Sequence, residues 1–372
     1  MDGVNMHNVE YDILNDEHFS NIRYKKYKFN SASNFDKKSF ACSLPFNNVE
    51  IQSNGDVYVC CPAWNPAIIG NLLEEDLESI WSGNRANAVR ESIKDTSFRY
   101  CQENLCPAML SGEGNHIIAR DKFKAPVIKF PNYISLSIDN TCNLECPSCR
   151  FQKILKSSPA QHDKSLKIME NIFDVIFREP HNQKVLLTMD GAGEIFHSAI
   201  YRQIFEKLKY KDFSLWPNVE FVLCTNGTMM TPKIQNKYSY LLDKAHSYRF
   251  SIDAGNEKSY NIVRKGGNWN SLWDNVNHLY NTRIEKTKLH WAINLVLQKD
   301  NYESIPELIE IAKTYDVIPD IYITNVLDWG SQSTDIYNDM AVWMEHHNEH
   351  DRMKQILALP EVVNYPKIVK PF

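Results

Sequence analysis

Nine cysteines stand in this 372-residue chain, and their spacing is its first chemical signal. Cys142, Cys146 and Cys149 fall in Thr141-Cys142-Asn143-Leu144-Glu145-Cys146-Pro147-Ser148-Cys149, a C-x3-C-x2-C arrangement. Three thiolates packed this closely suit an iron–sulfur cube, because soft sulfur ligands hold Fe–S clusters. Three ligands for four irons leave one iron open, and an open position is what chemistry needs. A zinc knuckle competes with this reading, but a fourth partner at zinc-finger spacing is missing. Cys42, Cys60, Cys61, Cys101 and Cys106 lie in the first third, and Cys224 stands alone. Four of the first five could close a second cluster completely. They could equally hold zinc and serve folding alone in a segment short of apolar residues.

Thiols keep such roles only in a reducing compartment. The segment Met1 to Asp16 carries acidic and polar residues where a signal peptide needs a basic and then an apolar region. No run of 18 apolar residues occurs, so no membrane span is expected. A cytoplasmic protein is therefore expected, in which clustered cysteines mean metal or catalysis rather than disulfides. The balance of 41 basic against 46 acidic residues, a net charge of −5, argues against a nucleic-acid or anionic-membrane partner. The basic run Arg23 to Lys28 reads as a solvated surface segment.

Regular elements must position the central group. Apolar, β-rich runs occur at Ile134–Ile138, Val185–Met189, Val219–Cys224, Tyr248–Ile252, Trp291–Leu297 and Ile321–Thr324. Helical patterns lie between them, one with Leu166, Met169, Ile172, Phe173 and Ile176 on one face, another with Ile305, Leu308, Ile309 and Ala312. Strands interleaved with helices imply parallel βα units. A partial (β/α)6 barrel and an open doubly wound sheet both fit, and either places ligands at the carboxyl ends of the strands. Earlier, Val49–Ile51 and Val57–Val59 flank Ser53-Asn54-Gly55-Asp56, a hairpin signal, in an otherwise irregular region. A helix is expected at Leu77–Ser82, continuing after Asn84. The tail reads as helical around Ile336–His350 and then Pro-punctuated.

The central cysteines and the motifs after them resemble the radical S-adenosylmethionine (SAM) superfamily, whose hallmark is C-x3-C-x2-C after the first barrel strand. Asp190-Gly191-Ala192-Gly193-Glu194 resembles the family's Gly-Gly-Glu motif, with Ala192 a looser match. Cys224-Thr225-Asn226-Gly227 resembles its Thr-Asn-Gly. Ser251-Ile252-Asp253-Ala254, then Arg264-Lys265-Gly266-Gly267, and Asn294 with Val296 come next in the expected order. The resemblance spans roughly Asn132 to Asn325. It implies that Cys142, Cys146 and Cys149 hold a [4Fe–4S] cluster. Gly191, Gly193, Glu194, Asn226, Ser251, Asp253, Arg264, Asn294 and Val296 would then bind SAM. Glu194 would accept from the methionine ammonium, with the two glycines allowing close backbone approach, and Arg264 would take the carboxylate with its planar fork. The implied activity is reductive cleavage of SAM and hydrogen abstraction from a substrate by the 5′-deoxyadenosyl radical, fed by an electron donor such as flavodoxin or ferredoxin. No catalytic side chain beyond the clusters is assigned.

Cys42-x12-Gly55-x4-Cys60, followed by Cys101-x4-Cys106, resembles the auxiliary modules called SPASM and twitch, which implies a second [4Fe–4S] cluster on Cys42, Cys60, Cys101 and Cys106. Cys61 is the spare or alternative ligand. The fold expected is therefore α/β. A small irregular Fe–S domain over residues 1–125 precedes a partial (β/α)6 TIM-like barrel over 126–330 and a helical extension over 331–372. The substrate is a small molecule, with a lean toward a carbohydrate-like one, or a peptide or protein; a non-catalytic electron-relay protein is the rival from another class. His346-His347-Asn348-Glu349-His350 matches the H-x-x-E-H zinc pattern, with its outer histidines on one helix face, though a solvated helix face explains it better. Cys224 reads as a buried inert thiol. Asp328-Trp329-Gly330, and more weakly Asp320 and Tyr322, stand where barrel enzymes keep substrate residues.

Overall fold

Each of the six apolar runs becomes a strand, because β-branched and aromatic residues alternate there with smaller or polar ones. The structure, a computed structural model, describes residues 35–370 apart from 104, 113, 127, 151, 191 and 329–331. Met1 to Asp16 and the basic run Arg23 to Lys28 lie outside the described residues. Twelve strands are found among them: β1 (Phe40–Cys42), β2 (Asn48–Gln52), β3 (Asp56–Tyr58), β4 (Gly70–Asn71), β5 (Ile117–Ala119), β6 (Tyr133–Ser137), β7 (Val185–Met189), β8 (Val219–Thr225), β9 (Ala245–Ser251), β10 (His290–Leu297), β11 (Asp320–Asn325) and β12 (Ile368–Val369).

Ten of them make one sheet in the order β12-β11-β10-β9-β8-β7-β6-β2-β3-β4, while β1 and β5 pair separately. From β6 to β11 every pairing is parallel and follows chain order. A doubly wound sheet needs a reversal of strand order, and none occurs among these strands. With right-handed crossovers, sequential order puts every connecting helix on the same face. Among the described residues the sheet does not close, so the architecture is a partial barrel.

Strand alternation then divides the side chains. Ile134 and Leu136, Leu187 and Met189, Phe221 and Leu223, Tyr248 and Phe250, Ile293 and Leu295, and Ile321 and Ile323 enter one continuous core with the helices. The intervening residues, among them Ser135, Thr188, Arg249, Asn294 and Tyr322, face the other side and stay half-buried. This second surface is the inner face. The helix Pro159–Phe177 shows the amphipathic logic: Ile168, Met169, Ile172, Phe173 and Ile176 are buried, and Ser158 caps its start by accepting from Gln161 N.

The N-terminal segment is less separate than its composition implies. β2 lies parallel to β6 from Asn48 opposite Tyr133 to Gln52 opposite Ser137, and β3 returns antiparallel to β2. Gly55 makes the turn at φ +92°, where a Cβ would fall 2.5 Å from Asn71 Oδ1. The sheet thus runs across residue 125. A second small core of Phe35, Ala41, Phe46, Ile93, Phe98 and Met109 packs around Cys42, Cys101 and Cys106.

The tail differs from expectation. A helix spans Thr334–Met340, turns follow, and the next helix begins at His350. The continuous helix fails because other partners take its carbonyls: Lys299 N donates to Met340 O at 3.0 Å, and His350 Nδ1 meets Val342 O at 3.3 Å.

Gly255 is the tightest backbone contact behind the site. A Cβ there would sit 1.9 Å from Ser304 O and 2.5 Å from Leu308 N, both main-chain atoms unable to yield alone. Gly255→Ala is expected to lower stability by about 3 kcal/mol. Urea unfolding checks this, and a change below about 0.5 kcal/mol would contradict the packing described.

Candidate active site

The central cysteines sit in the loop after β6, at the carboxyl rim of the sheet. Cys142 N donates to Ile154 O at 2.8 Å, and Cys149 N and Arg150 N both return to Cys146 O, which folds Cys146 to Cys149 into one tight turn. An ion pair of Lys265 with Glu145 at 2.6 Å pins this loop to the segment after β9. Cys142 and Cys146 are buried with Leu144, and Cys149 is exposed. Burial pushes the Cys142 thiol up to about 11; the Leu144 N–H opposes this, and neighbouring Glu194 and Cys146 add to it. Burial raises Cys146 too, against the attraction of Arg264.

Donors converge on all three sulfurs. Leu144 N stands 3.4 Å and Asn226 Nδ2 3.8 Å from Cys142, Arg264 Nη1 3.7 Å from Cys146, and Arg150 Nη2 3.3 Å from Cys149. Donors aimed at sulfur stabilise its anionic, metal-bound form, so the set fits a thiolate-held cluster. Arg150 also donates to Asn140 O at 2.6 Å and to Ala192 O, joining the cysteine loop to the segment after β7.

The expected SAM residues gather along the same rim. Gly193 and Glu194 follow β7, Asn226 follows β8, Ser251 ends β9 opposite Asn294 of β10, and Val296 lies two residues further. Gly191 lies outside the described residues. Two of the expected residues also hold the chain itself. The close approach at Gly193 is to the chain itself, since a Cβ would meet Thr141 O at 2.4 Å and Asp139 O at 2.7 Å. Glu194 is buried, and its carboxylate accepts from Thr225 Oγ1 (2.6 Å), Asn226 N (2.6 Å) and Phe196 N (3.2 Å). It clamps the end of β8, and three accepted bonds leave the carboxylate acceptor capacity for a further donor. Asn226 in turn holds Asn143 of the cysteine loop at 3.0 Å.

Asp253 and Arg264 form the charged half of the rim. Asp253 adopts φ +60° and accepts from Val296 N at 2.8 Å, and Arg264 Nη2 pairs with it at 2.8 Å. Burial raises the Asp253 carboxyl and the guanidinium counters it. Arg264 Nε is shut off from solvent without a partner. A buried donor left over on a paired guanidinium fits an incoming carboxylate, as SAM would bring.

The N-terminal cysteines converge as well. Cys42, Cys60, Cys101 and Cys106 line one enclosed cavity of about 30 Å³, walled by Phe98, Met109 and other apolar side chains. Burial is the leading cause that lifts all four thiols, Cys42 to about 12, and Cys60 is lifted further by the other three. Cys60 is buried and the other three are half-buried; four thiols facing one cavity fit a metal cluster that would supply the charge and displace the protons. Cys61 lies outside this cavity, beside Glu50.

Several other motifs fall away. His346 and His347 are in turns and only His350 is helical, so the outer histidines share no helix face. His347 and His350 meet the carbonyls of Asp339 and Val342, and Glu349 accepts from Tyr302. Cys224 is not in the apolar core: Phe221 and Leu223 are, and alternation turns Cys224 half-buried onto the inner face. Asp328 is buried, while Trp329 and Gly330 lie outside the described residues. Asp320 receives Tyr322 and sits 2.8 Å from His290 on the amino-end side of the inner face. Sequence reasoning missed Arg150, Glu50 and Arg249; a lone arginine inside the run Tyr248–Ile252 is the signal that could have marked the last.

The α/β sheet thus carries two sets of cysteines, one at the carboxyl rim and one beside an edge hairpin, although among the described residues no three or more ligands are drawn together closely enough to hold a metal ion. The model of the radical SAM superfamily matches residues 136–312, and that of the SPASM iron–sulfur cluster-binding domain matches residues 42–107. The chain carries a radical SAM domain with a SPASM domain ahead of it; these domains imply SAM and [4Fe–4S] cofactors. No curated protein matches it. Among solved structures it is similar to native anSMEcpe with bound AdoMet, at 18% identity over 53% of this chain and 51% of that one, TM-score 0.38. It is also similar to native anSMEcpe with bound AdoMet and Kp18Cys peptide, at 17% identity over 56% and 57%, TM-score 0.37. The chain thus spans a little over half the length of those proteins. No helix among the described residues is long and apolar enough to cross a membrane.

Removing Asp253 would strand a buried guanidinium. Asp253→Leu is expected to cost about 3 kcal/mol, and adding Arg264→Leu should restore at least half of it. A double-mutant cycle by chemical denaturation decides; additive losses would mean the pair is not coupled.

Proposed function

We propose that the protein is an enzyme that cleaves SAM reductively and removes a hydrogen atom from a polar substrate on the inner face, with an auxiliary cluster on its N-terminal cysteines. The carrying observation is the meeting of three sulfurs, their N–H donors and the Asp253–Arg264 pair at one rim, beside a half-buried polar face. In this reading Cys142, Cys146 and Cys149 hold the first [4Fe–4S] cluster, and Cys42, Cys60, Cys101 and Cys106 the second. When bound, the reduced cluster supplies the electron that breaks the sulfonium bond and frees the hydrogen-abstracting 5′-deoxyadenosyl group.

The chain's own residues position and shelter. Arg264, steadied by Asp253, receives the SAM carboxylate on its free Nε. Glu194 fixes Asn226, and Asn226 fixes the cysteine loop. Ser251, Asn294 and Val296 stand where the ribose and adenine would lie. The electron donor is a small redox protein such as flavodoxin or ferredoxin. The half-buried polar side chains of the inner face support a polar substrate, whether a carbohydrate-like small molecule or a polar side chain of a peptide.

Anaerobic reconstitution with iron and sulfide, followed by SAM and dithionite, tests this. The unsubstituted chain should bind about eight irons, two complete cubes, and release 5′-deoxyadenosine. Cys146→Ala should lose about four irons and all release. Cys60→Ala should lose about four irons yet keep release, and Cys61→Ala should lose none. Undiminished release from Cys146→Ala would sink the central assignment, and iron without any release would favour an electron-relay protein.

A further inference from the structure

One group of charged side chains on the inner face is used neither by the cysteines nor by the expected SAM contacts. Glu50 of β2 lies opposite Ser135 of β6, which lies opposite Thr188 of β7, so Glu50 stands on this face two residues below the level of Asp190. Asp190 follows Met189, which pairs with Leu223, and so comes level with Cys224; Cys224 pairs with Arg249, and Arg249 with Ala292. The Asp190 carboxyl and the guanidinium therefore rise from backbones two strands apart, about 10 Å at the usual strand spacing. Only a cysteine stands between them, and Ser137 and Ala292 flank them at the same level.

The ends of these long side chains are unfinished. Asp190 Oδ2 accepts from Ser135 Oγ at 3.3 Å, but Oδ1 is closed off from solvent and meets no donor. Arg249 Nε is equally closed off and meets no acceptor. Among the described residues no ion pair joins the two. Glu50 accepts from Gln52 Nε2 at 3.0 Å. Buried polar atoms without partners are costly, and two at one level mark a place that something else completes.

Charge says what. Burial lifts the Asp190 carboxyl to about 6 against the attraction of Arg249. Burial, and then Asp190 itself, lifts Glu50 to about 8. Each carboxyl is held up for want of a countercharge; ionised together, the two would leave the three groups one positive charge short. The complementary group is a cation carried beside an acceptor oxygen.

We propose that Glu50, Asp190 and Arg249 anchor the substrate through a primary amine with a neighbouring oxygen function, the carboxyls receiving the ammonium and Arg249 donating to the oxygen. This rests on the inner face being the substrate surface of a SAM-cleaving enzyme. It adds that the N-terminal segment supplies part of the recognition through Glu50. An amine on a small polyol and an amine on a peptide side chain offer the same chemistry, so both sources enter the test.

The experiment uses the full chain loaded with its clusters and SAM. Binding of four probes is measured by saturation-transfer NMR and titration: glucosamine against glucose, and a blocked lysine tripeptide against its glutamine counterpart. At least one amine should bind tenfold or more tightly than its neutral partner, and which amine does so identifies the source. Asp190→Asn and Arg249→Gln should each weaken that binding at least tenfold. Equal binding of amine and neutral probes overturns the proposal, as does amine binding unchanged in both variants. Should a variant fail to fold, the amine-to-neutral ratio of the unsubstituted chain still decides. Release of 5′-deoxyadenosine in the same samples separates the two readings. Release without amine preference sinks the anchor alone; amine preference without release sinks the enzyme and leaves the anchor.

Discussion

Parallel pairing in chain order, from β6 through β11, is the constraint on which the remaining features depend. Once each strand lies beside its predecessor, right-handed crossovers leave no choice about where the helices go. The connecting helices cover one face, and each strand acquires one row of core residues and one row turned away from them, of which Val296 packs against Tyr337 and Met340 of the helix Thr334–Met340. The carboxyl ends then share a single rim. Cys142, Glu194, Asn226, Asp253 and Arg264 come from four different connections, yet the pairing brings them together. Register carries this further. Because β2 joins β6 in parallel without a shift, Glu50 enters the same row as Ser135, so a residue remote in sequence lines the inner face.

At that rim the chain meets a general difficulty: polar and anionic groups must be buried to do chemistry, and burial opposes their charge. The structure answers differently for each group. Glu194 has three donors, two of them main-chain N–H groups fixed by the ends of strands. Asp139 gathers the hydroxyls of Thr141, Ser157 and Ser198, which ties the cysteine loop to the helix after β7. Asp253 has an arginine. The thiols have donors nearby but no full countercharge, and burial leaves them the least reconciled of the set. The carboxylates are compensated by the chain, whereas the sulfurs await metal.

Much of this was legible in the residues. Six strands stood out because β-branched and aromatic runs of four to seven residues are poor helix formers, and the cysteine spacing needed no structure to be seen. What stayed hidden depends on contacts across the chain. Gly193 looks like a ligand glycine, but the space it frees is filled by the backbone of residues 139–141, an approach no local pattern reveals. Cys224 was hidden by Phe221-Val222-Leu223: a solid apolar run conceals which face each residue takes, and only pairing with Arg249 shows it. The tail kept helical periodicity past Met340, yet carbonyls that a helix would use are taken by Lys299 and His350. Local propensity yielded there to tertiary partners.

The order of the domains also becomes intelligible through the sheet. An open parallel sheet exposes the edge of its first strand, and a bare edge invites unwanted pairing. Here that edge belongs to β6, and β2, β3 and β4 cover it. Two parallel strands cannot be joined by a tight turn and need a long crossover, and the crossover from β2 to β6 is the segment carrying Cys60, Cys101 and Cys106. The auxiliary cysteines therefore occupy the connection that the topology demands. Cys60 stands two residues beyond β3 and Cys142 five beyond β6, so both cysteine sets hang from strands of one rigid sheet. Adjacent Cys61 lies beside Glu50 of the inner row. Within two successive residues the chain passes from the cavity of the N-terminal cysteines to the edge of the face proposed for substrate, so under that proposal the N-terminal segment both supports the active surface and contributes to it.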